Sequence, residues 1–63
     1  MGGAWADEYF DMIGDCQYRE SLLSEWETHF LDSIEDQLES GRMLTNKQIE
    51  KLEDIWERVT KND

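Results

Sequence analysis

Apolar residues recur along much of the chain at the three- and four-residue spacing of amphipathic α-helices. The clearest stretches are residues 24–40 and 46–60, where charged and polar side chains fill the positions between the apolar ones. Such spacing forms a single apolar stripe on a helix with 3.6 residues per turn. The chain has no proline, and no stretch shows the alternating pattern of a β-strand. The pattern therefore predicts an all-α protein.

The two clearest helical stretches meet at a short connection, residues 41–45. Gly41 follows the last periodic residues of the first stretch, where helices often end in a left-handed residue. Thr45 and Gln48 have the spacing of a capping box, and Leu44 and Ile49 have that of a hydrophobic staple. A connection of about five residues favours antiparallel neighbouring helices. The sequence therefore predicts an antiparallel helical hairpin.

The helix before this connection has its own start signal. Ser24 and Glu27 form a second capping box, and the helix is predicted to run to about Ser40. Its predicted inward residues are Trp26, Phe30, Leu31, Ile34 and Leu38. The helix after the connection is predicted over residues 46–60, with Ile49, Leu52, Ile55, Trp56 and Val59 inward.

A further helix is predicted from about Ala4, but its end is ambiguous. Its apolar stripe consists of Trp5, Tyr9, Met12, Ile13 and Cys16. Gly14 interrupts this stripe, as a helix terminator or as an interior glycine that costs about 1 kcal/mol relative to alanine. Because the stripe continues to Cys16, we favour a helix that extends to about Tyr18. Residues 19–24 form the least regular segment, in which Leu22 and Leu23 are expected to contact the core.

These elements predict a small three-helix unit built on the antiparallel hairpin, with the first helix packed across it. The alternative is that the unit pairs with a second copy. Residues 4–63 would form a single helical domain, and residues 1–3 a flexible start or an expression remnant. A chain of 63 residues buries only about 60 % of its unfolded surface. A partner or self-association would therefore help to stabilise it.

The formal net charge of −10 is distributed unevenly. Residues 1–41 carry eleven carboxylates and one cation, Arg19, so they account for the whole excess. Residues 42–63 carry five carboxylates and five cations and are neutral overall. A surface of this sign repels nucleic acid and anionic lipid and favours a basic protein partner.

Carboxylates form two rows at helical spacing. One row is Asp7, Asp11 and Asp15, and the other is Glu25, Asp32, Asp36 and Glu39. Like charges four residues apart cost a few tenths of a kcal/mol each, and carboxylates near a helix C-terminus oppose the helix dipole. Two explanations remain open. The rows serve solubility, or they bind a positively charged surface.

The sequence contains no recognisable catalytic or metal-binding motif. We therefore expect no enzyme activity, no bound metal and no cofactor. His29 is the only histidine and Cys16 the only cysteine, and nothing links them as a nucleophile and base. The single cysteine also fits a reducing setting. No secretory signal is recognisable, and the apolar runs are too short to span a bilayer. We therefore expect a cytoplasmic protein.

The three tryptophans are dense for this length. They are expected chiefly to fill a small core, but tryptophan is also enriched at binding hot spots. Trp5, near the chain terminus, is the best candidate for an exposed partner contact. Trp56 lies at the edge of its stripe and would cap the core or face a second subunit.

The run FLDSIEDQLESGRMLTNKQIEKLEDIWERV, residues 30–59, resembles small helical proteins of phages and prophages. In these proteins a capped L-T/S-x-x-Q-x-x-x-L-x-x-I helix follows an acidic one. The resemblance covers about half of the chain. It implies an accessory factor of phage replication or recombination, or an inhibitor of host nucleic-acid machinery of the anti-CRISPR kind. The location would then be the host cytoplasm. No residue role is implied, because no functional motif can be matched.

Together these features favour a non-enzymatic acidic module that docks on a basic, nucleic-acid-binding surface of a larger protein, as a decoy or inhibitor. We expect no direct binding of nucleic acid or membrane. The predicted partner-binding residues are Asp7, Asp11, Asp15, Glu25, Asp32, Asp36, Glu39 and Trp5. The alternative is a structural assembly module that forms a homodimer or a helix-mediated complex in phage replication or recombination.

Overall fold

The computed structural model describes residues 4–61, with side chains described from Asp7 onward. Its helices are α1 (Ala4–Tyr18), α2 (Glu25–Glu39) and α3 (Asn46–Thr60), and a 3₁₀ turn, Glu20–Leu22, lies between the first two. The prediction of an all-α, three-helix unit is confirmed. The flexible start predicted for residues 1–3 lies outside the described residues.

Both predicted capping boxes are present. At the start of α2, the Glu27 amide donates to Ser24 Oγ at 3.1 Å, and the Ser24 amide donates to Glu27 Oε1 at 2.9 Å. At the start of α3, Thr45 and Gln48 make the same two hydrogen bonds, at 3.1 and 2.9 Å. Each box satisfies amides that the first helical turn leaves without intrahelical partners. This is why α2 and α3 begin where the sequence predicted.

The end of α2 depends on Gly41. Its φ of 87° lies in the left-handed region, which glycine adopts without steric cost. The Gly41 amide donates to the Leu38 carbonyl at 2.9 Å, and the Arg42 amide donates to the Gln37 carbonyl at 3.1 Å. These two bonds form a Schellman motif, which satisfies carbonyls at the helix end. The predicted helix terminator is confirmed.

α2 and α3 form an antiparallel pair. Near the connection, Gln37 Nε2 donates to Gln48 Oε1 at 3.2 Å and to the Met43 carbonyl at 2.8 Å. Gln48 Nε2 returns a bond to Gln37 Oε1 at 3.1 Å. At the other end, Arg58 of α3 bonds to Glu27 of α2. The late part of each helix therefore meets the early part of the other.

All three helices contribute to one core. Its buried apolar residues are Met12, Ile13, Cys16, Leu31, Ile34, Leu38, Leu44, Leu52, Ile55 and Val59. Tyr9, Leu23, Phe30, Ile49 and Trp56 pack against this core and are partly buried. α1 continues through Gly14, which is exposed, and reaches Tyr18 as favoured from the sequence. The interior glycine lies on the solvent side, so no packing contact depends on it.

Two predicted core residues are instead exposed. Trp26 is 58 % exposed and Leu22 is 47 % exposed. Trp26 lies in the first turn of α2, where its ring stacks on Phe30 with centroids 5.3 Å apart and planes 9° apart. Phe30 thus stands between Trp26 and the core. Leu22 belongs to the 3₁₀ turn, whose residues are all unburied.

Candidate functional site

One acidic surface follows α2. The α2 row consists of Glu25, Asp32, Asp36 and Glu39, and all four side chains are exposed. Glu39 is the last residue of α2, and the last turn contains no basic residue. The negative end of the helix dipole therefore adds to the charge of the row.

The α2 row borders α1. Gln17 Nε2 of α1 donates to Glu35 Oε1 at 3.2 Å and lies 3.5 Å from Asp32 Oδ1. An amide donor between the two carboxylates screens part of their mutual repulsion without neutralising either one. The contact places the acidic side of α2 next to one flank of α1.

The second acidic surface lies on the other flank of α1. The α1 row consists of Asp7, Asp11 and Asp15, all exposed. Asp15 Oδ2 accepts a hydrogen bond from Trp56 Nε1 of α3 at 3.1 Å. Gln17 is two residues further on, about 200° around the helix, and faces α2. The structure therefore does not bring the two predicted rows together. The α2 row borders one flank of α1, and the α1 row lies on the other flank, next to α3.

A groove of about 350 Å³ runs between α1 and α3. This α1–α3 groove is lined by five carboxylates, those of Glu8, Asp11, Asp15, Glu53 and Glu57. Met12 and the partly buried Trp56 complete its lining and supply an apolar surface. The groove can accommodate a cationic group that also carries an apolar portion.

Glu53 and Glu57 were missed as candidate site residues. α3 and its flanking residues are neutral in sum, so net charge does not group its carboxylates with those of α1. The available signal was local: Glu53, Trp56 and Glu57 recur at three- and four-residue spacing and so share one side of α3. The packing of α1 against that side makes them part of the groove.

Two cations of α3, Lys51 and Arg58, contact α2 instead. We define the α2–α3 seam by Trp26, Glu27, Lys51 and Arg58. Lys51 Nζ lies 5.3 Å from the centroid of the Trp26 ring, within cation–π distance. Arg58 forms an ion pair with Glu27, whose side chain is only 8 % exposed. In this seam, cations are matched with an aromatic ring and a carboxylate.

Glu27 has two roles in the seam. Its Oε1 accepts hydrogen bonds from the Ser24 amide and from Arg58. The Arg58 hydrogen bond holds the pKa of Glu27 below its ordinary value of 4.5, against the opposing effect of burial, and Ser24 adds to the lowering. Glu27 raises the pKa of Arg58 in return. The buried carboxylate is therefore kept ionised by the groups that it holds together.

The cysteine and the histidine lie in different environments. Cys16 is fully buried in the core. Burial, with a smaller contribution from the charge of Asp15, raises the pKa of its thiol to about 11. The thiol therefore stays protonated and unreactive at neutral pH. His29 lies on the exposed surface of α2.

The remaining predicted site residue, Trp5, has a side chain outside those that the structure describes, so its predicted partner contact stays a prediction.

No protein family, no curated protein and no solved structure matches the chain. Within residues 4–61, no helix has both the length and the apolar character needed to cross a membrane.

Proposed function

We propose that the protein is a non-enzymatic acidic binding module that docks its α2 row on a basic surface of a larger protein. The basic surface is one that otherwise binds nucleic acid, so the module acts as a decoy or inhibitor that competes with the phosphate backbone. A phage-type accessory role is the setting that we propose for it.

The observation that carries this proposal is the exposure of the α2 row. Among the described residues, the buried Glu27 of α2 forms an ion pair with Arg58 of α3. The exposed carboxylates Glu25, Asp32, Asp36 and Glu39 line one side of the helix and remain available to a partner. Their charge repels phosphate and attracts the lysine and arginine residues that bind phosphate.

A charge-reversal pair tests the proposal. The α2-reversed variant carries Asp32→Lys, Asp36→Lys and Glu39→Lys. The control variant carries Glu20→Lys, Glu50→Lys and Asp54→Lys, which changes the net charge equally at exposed positions outside the row. Both variants should keep the helical circular dichroism of the unchanged protein, because all six positions are exposed.

The measurement is affinity capture from a lysate of the source cells, with elution by salt and by duplex DNA. We expect one partner to be captured by the unchanged protein and by the control variant, to be lost with the α2-reversed variant, and to be displaced by duplex DNA. Equal capture by the two variants would refute docking through the α2 row. Retention in excess DNA would refute the decoy role.

A second candidate function is assembly through apolar contacts. Among the side chains that the structure describes, the exposed large apolar ones are those of Tyr18, Leu22, Trp26 and Met43. We propose a homodimer or helix-mediated complex as the alternative, with Trp26 as its anchor, because exposed aromatic rings are common hot spots. Analytical ultracentrifugation tests it: the assembly requires a concentration-dependent dimer that Trp26→Gln abolishes, and a concentration-independent monomer contradicts self-association.

A further inference from the structure

We propose that the α1–α3 groove binds an arginine side chain presented by the partner's basic surface. The guanidinium lies among the groove carboxylates, and the methylene stem lies on Trp56 and Met12. This inference rests on the proposed docking to a basic protein surface. It adds a second contact region to the α2 row, on the other flank of α1.

The size of the groove limits its occupant. Its volume of about 350 Å³ is near the lower end of the range, about 300–1,000 Å³, that small-molecule pockets occupy. A single long side chain fits such a space, whereas a helix or a loop does not. The size therefore suits one anchoring residue, which the larger partner of the proposed docking would supply.

The negative charge of the groove determines that its occupant carries a positive charge. Five of its seven lining side chains are carboxylates, and no lysine or arginine is among the seven. Asp11 and Asp15 repel each other along α1, and Glu53 and Glu57 repel each other along α3. A cation placed between the two walls relieves both repulsions, whereas an anion would add to them.

The shape and lining of the groove distinguish an organic cation from a metal ion. Among the described residues, no group of three or more His, Cys, Asp or Glu side chains is arranged to hold a metal. Dispersed carboxylates suit a planar guanidinium, which donates five N–H groups in several directions. A lysine ammonium concentrates its charge at one point, so it contacts several dispersed carboxylates less well than a guanidinium does.

The apolar part of the lining is fixed in place. The Trp56 indole N–H donates to Asp15 at 3.1 Å, and Met12 is 8 % exposed within the core. Arginine carries an apolar stem that packs on surfaces of this kind while its charged end stays in polar surroundings. The prepared indole and thioether therefore favour a long cationic side chain over a small inorganic cation.

A peptide titration tests the groove. The probes are short blocked alanine–glycine peptides with one central arginine, citrulline or lysine. Citrulline keeps the shape of arginine and removes its charge. The readout is the indole N–H resonance of Trp56 in ¹⁵N spectra, which Trp5→Phe and Trp26→Phe variants distinguish from the other two indole signals.

Two neutralised variants provide the control. The groove variant carries Asp11→Asn and Glu53→Gln, and the row variant carries Asp32→Asn and Asp36→Asn, so each loses the same charge. We expect the arginine peptide to shift the Trp56 signal. Replacing arginine with citrulline in the peptide should weaken its binding about tenfold, the equivalent of about 1.4 kcal/mol. The groove variant should weaken binding of the arginine peptide by about the same factor, and the row variant should weaken it less than twofold.

The results that overturn the inference are specific. An unmoved Trp56 signal, equal binding of the citrulline peptide, or equal weakening in the two variants refutes the groove as the site. Equal binding of the lysine peptide refutes the assignment to arginine. The α2-reversed variant leaves every groove residue unchanged, so its capture experiment decides the proposed function separately from this titration.

Discussion

Charged side chains are arranged differently on the two sides of α3. Towards α1, Glu53 and Glu57 join three carboxylates of α1 around a groove that no cation lines. Towards α2, Arg58 pairs with the buried Glu27, and Lys51 lies over the Trp26 ring. Residues 42–63, which include α3, are neutral in sum. Even so, α3 separates an acidic flank from a charge-matched flank.

This difference shows that net charge does not describe what each face of a helix offers. In the α2–α3 seam, opposite charges are used to hold two helices together. In the α1–α3 groove, like charges remain next to each other, at a cost in repulsion. The seam therefore contributes to stability, and the groove and the α2 row are the surfaces available for a partner.

The largest expected difference between the two sides is in stability. Glu27→Ala removes one half of a capping box and the partner of Arg58, and should lower the free energy of unfolding by about 2 kcal/mol. The loss is moderate because the Arg58 side chain is 52 % exposed, so water replaces part of the lost contact. Urea unfolding followed by circular dichroism measures it.

Glu53→Ala is the matched change on the acidic side. It removes a carboxylate from an exposed position of the same protein and should change the free energy of unfolding by less than about 0.5 kcal/mol. Equal losses for Glu27→Ala and Glu53→Ala would contradict the division into a stabilising seam and an available groove.

A smaller effect is expected from the charge of Glu27 alone. Glu27→Gln keeps an acceptor for the Ser24 amide, since glutamine also serves in capping boxes, but it removes the ionic contact with Arg58. The unchanged protein should be more stable than this variant by about 1 kcal/mol at neutral pH. The comparison removes the pH effects of the other carboxylates, which both proteins share.

The difference in stability between the unchanged protein and the Glu27→Gln variant should depend on pH in a defined direction. The pKa of Glu27 is lower in the folded protein than its ordinary value of 4.5, so the folded state binds this proton less readily than the unfolded state. The contribution is complete above that value and is lost as pH falls through the folded-state pKa. Urea midpoints of both proteins at decreasing pH should therefore converge. An advantage that grows on acidification would contradict the ionic contact.

The smallest effect is expected on the acidic side. Glu53→Gln relieves repulsion with Glu50 and Glu57 and should raise the free energy of unfolding by a few tenths of a kcal/mol at low salt. The gain should disappear at about 1 M salt, where the screening length is about 3 Å. Thermal unfolding at both salt concentrations measures it, and a gain that persists at high salt would exclude charge repulsion as its cause.

The helix boundaries could be predicted because they depend on local chemistry. Ser24 with Glu27, and Thr45 with Gln48, make their capping contacts within four residues of sequence. Gly41 likewise acts within its own turn. Such signals do not depend on how the helices pack, so the sequence contains all that is needed to find them.

The groove and the seam could not be predicted because they depend on the rotation of each helix about its axis. The stripe that includes Trp26 is wide enough to bury either Trp26 or Phe30 first, and packing places Phe30 nearer the core. The pairing of Glu27 with Arg58 spans 31 residues. The capping box identified Glu27 as a helix cap but gave no sign of this second partner.

The most direct test is to map the surface that the captured partner covers. In ¹⁵N spectra of the labelled protein, partner binding should broaden the signals of Asp32, Asp36 and the Trp56 indole and leave those of Trp26 and Lys51 unchanged. Broadening confined to Trp26 and Lys51, with Asp32, Asp36 and Trp56 unaffected, would contradict docking through the acidic surfaces.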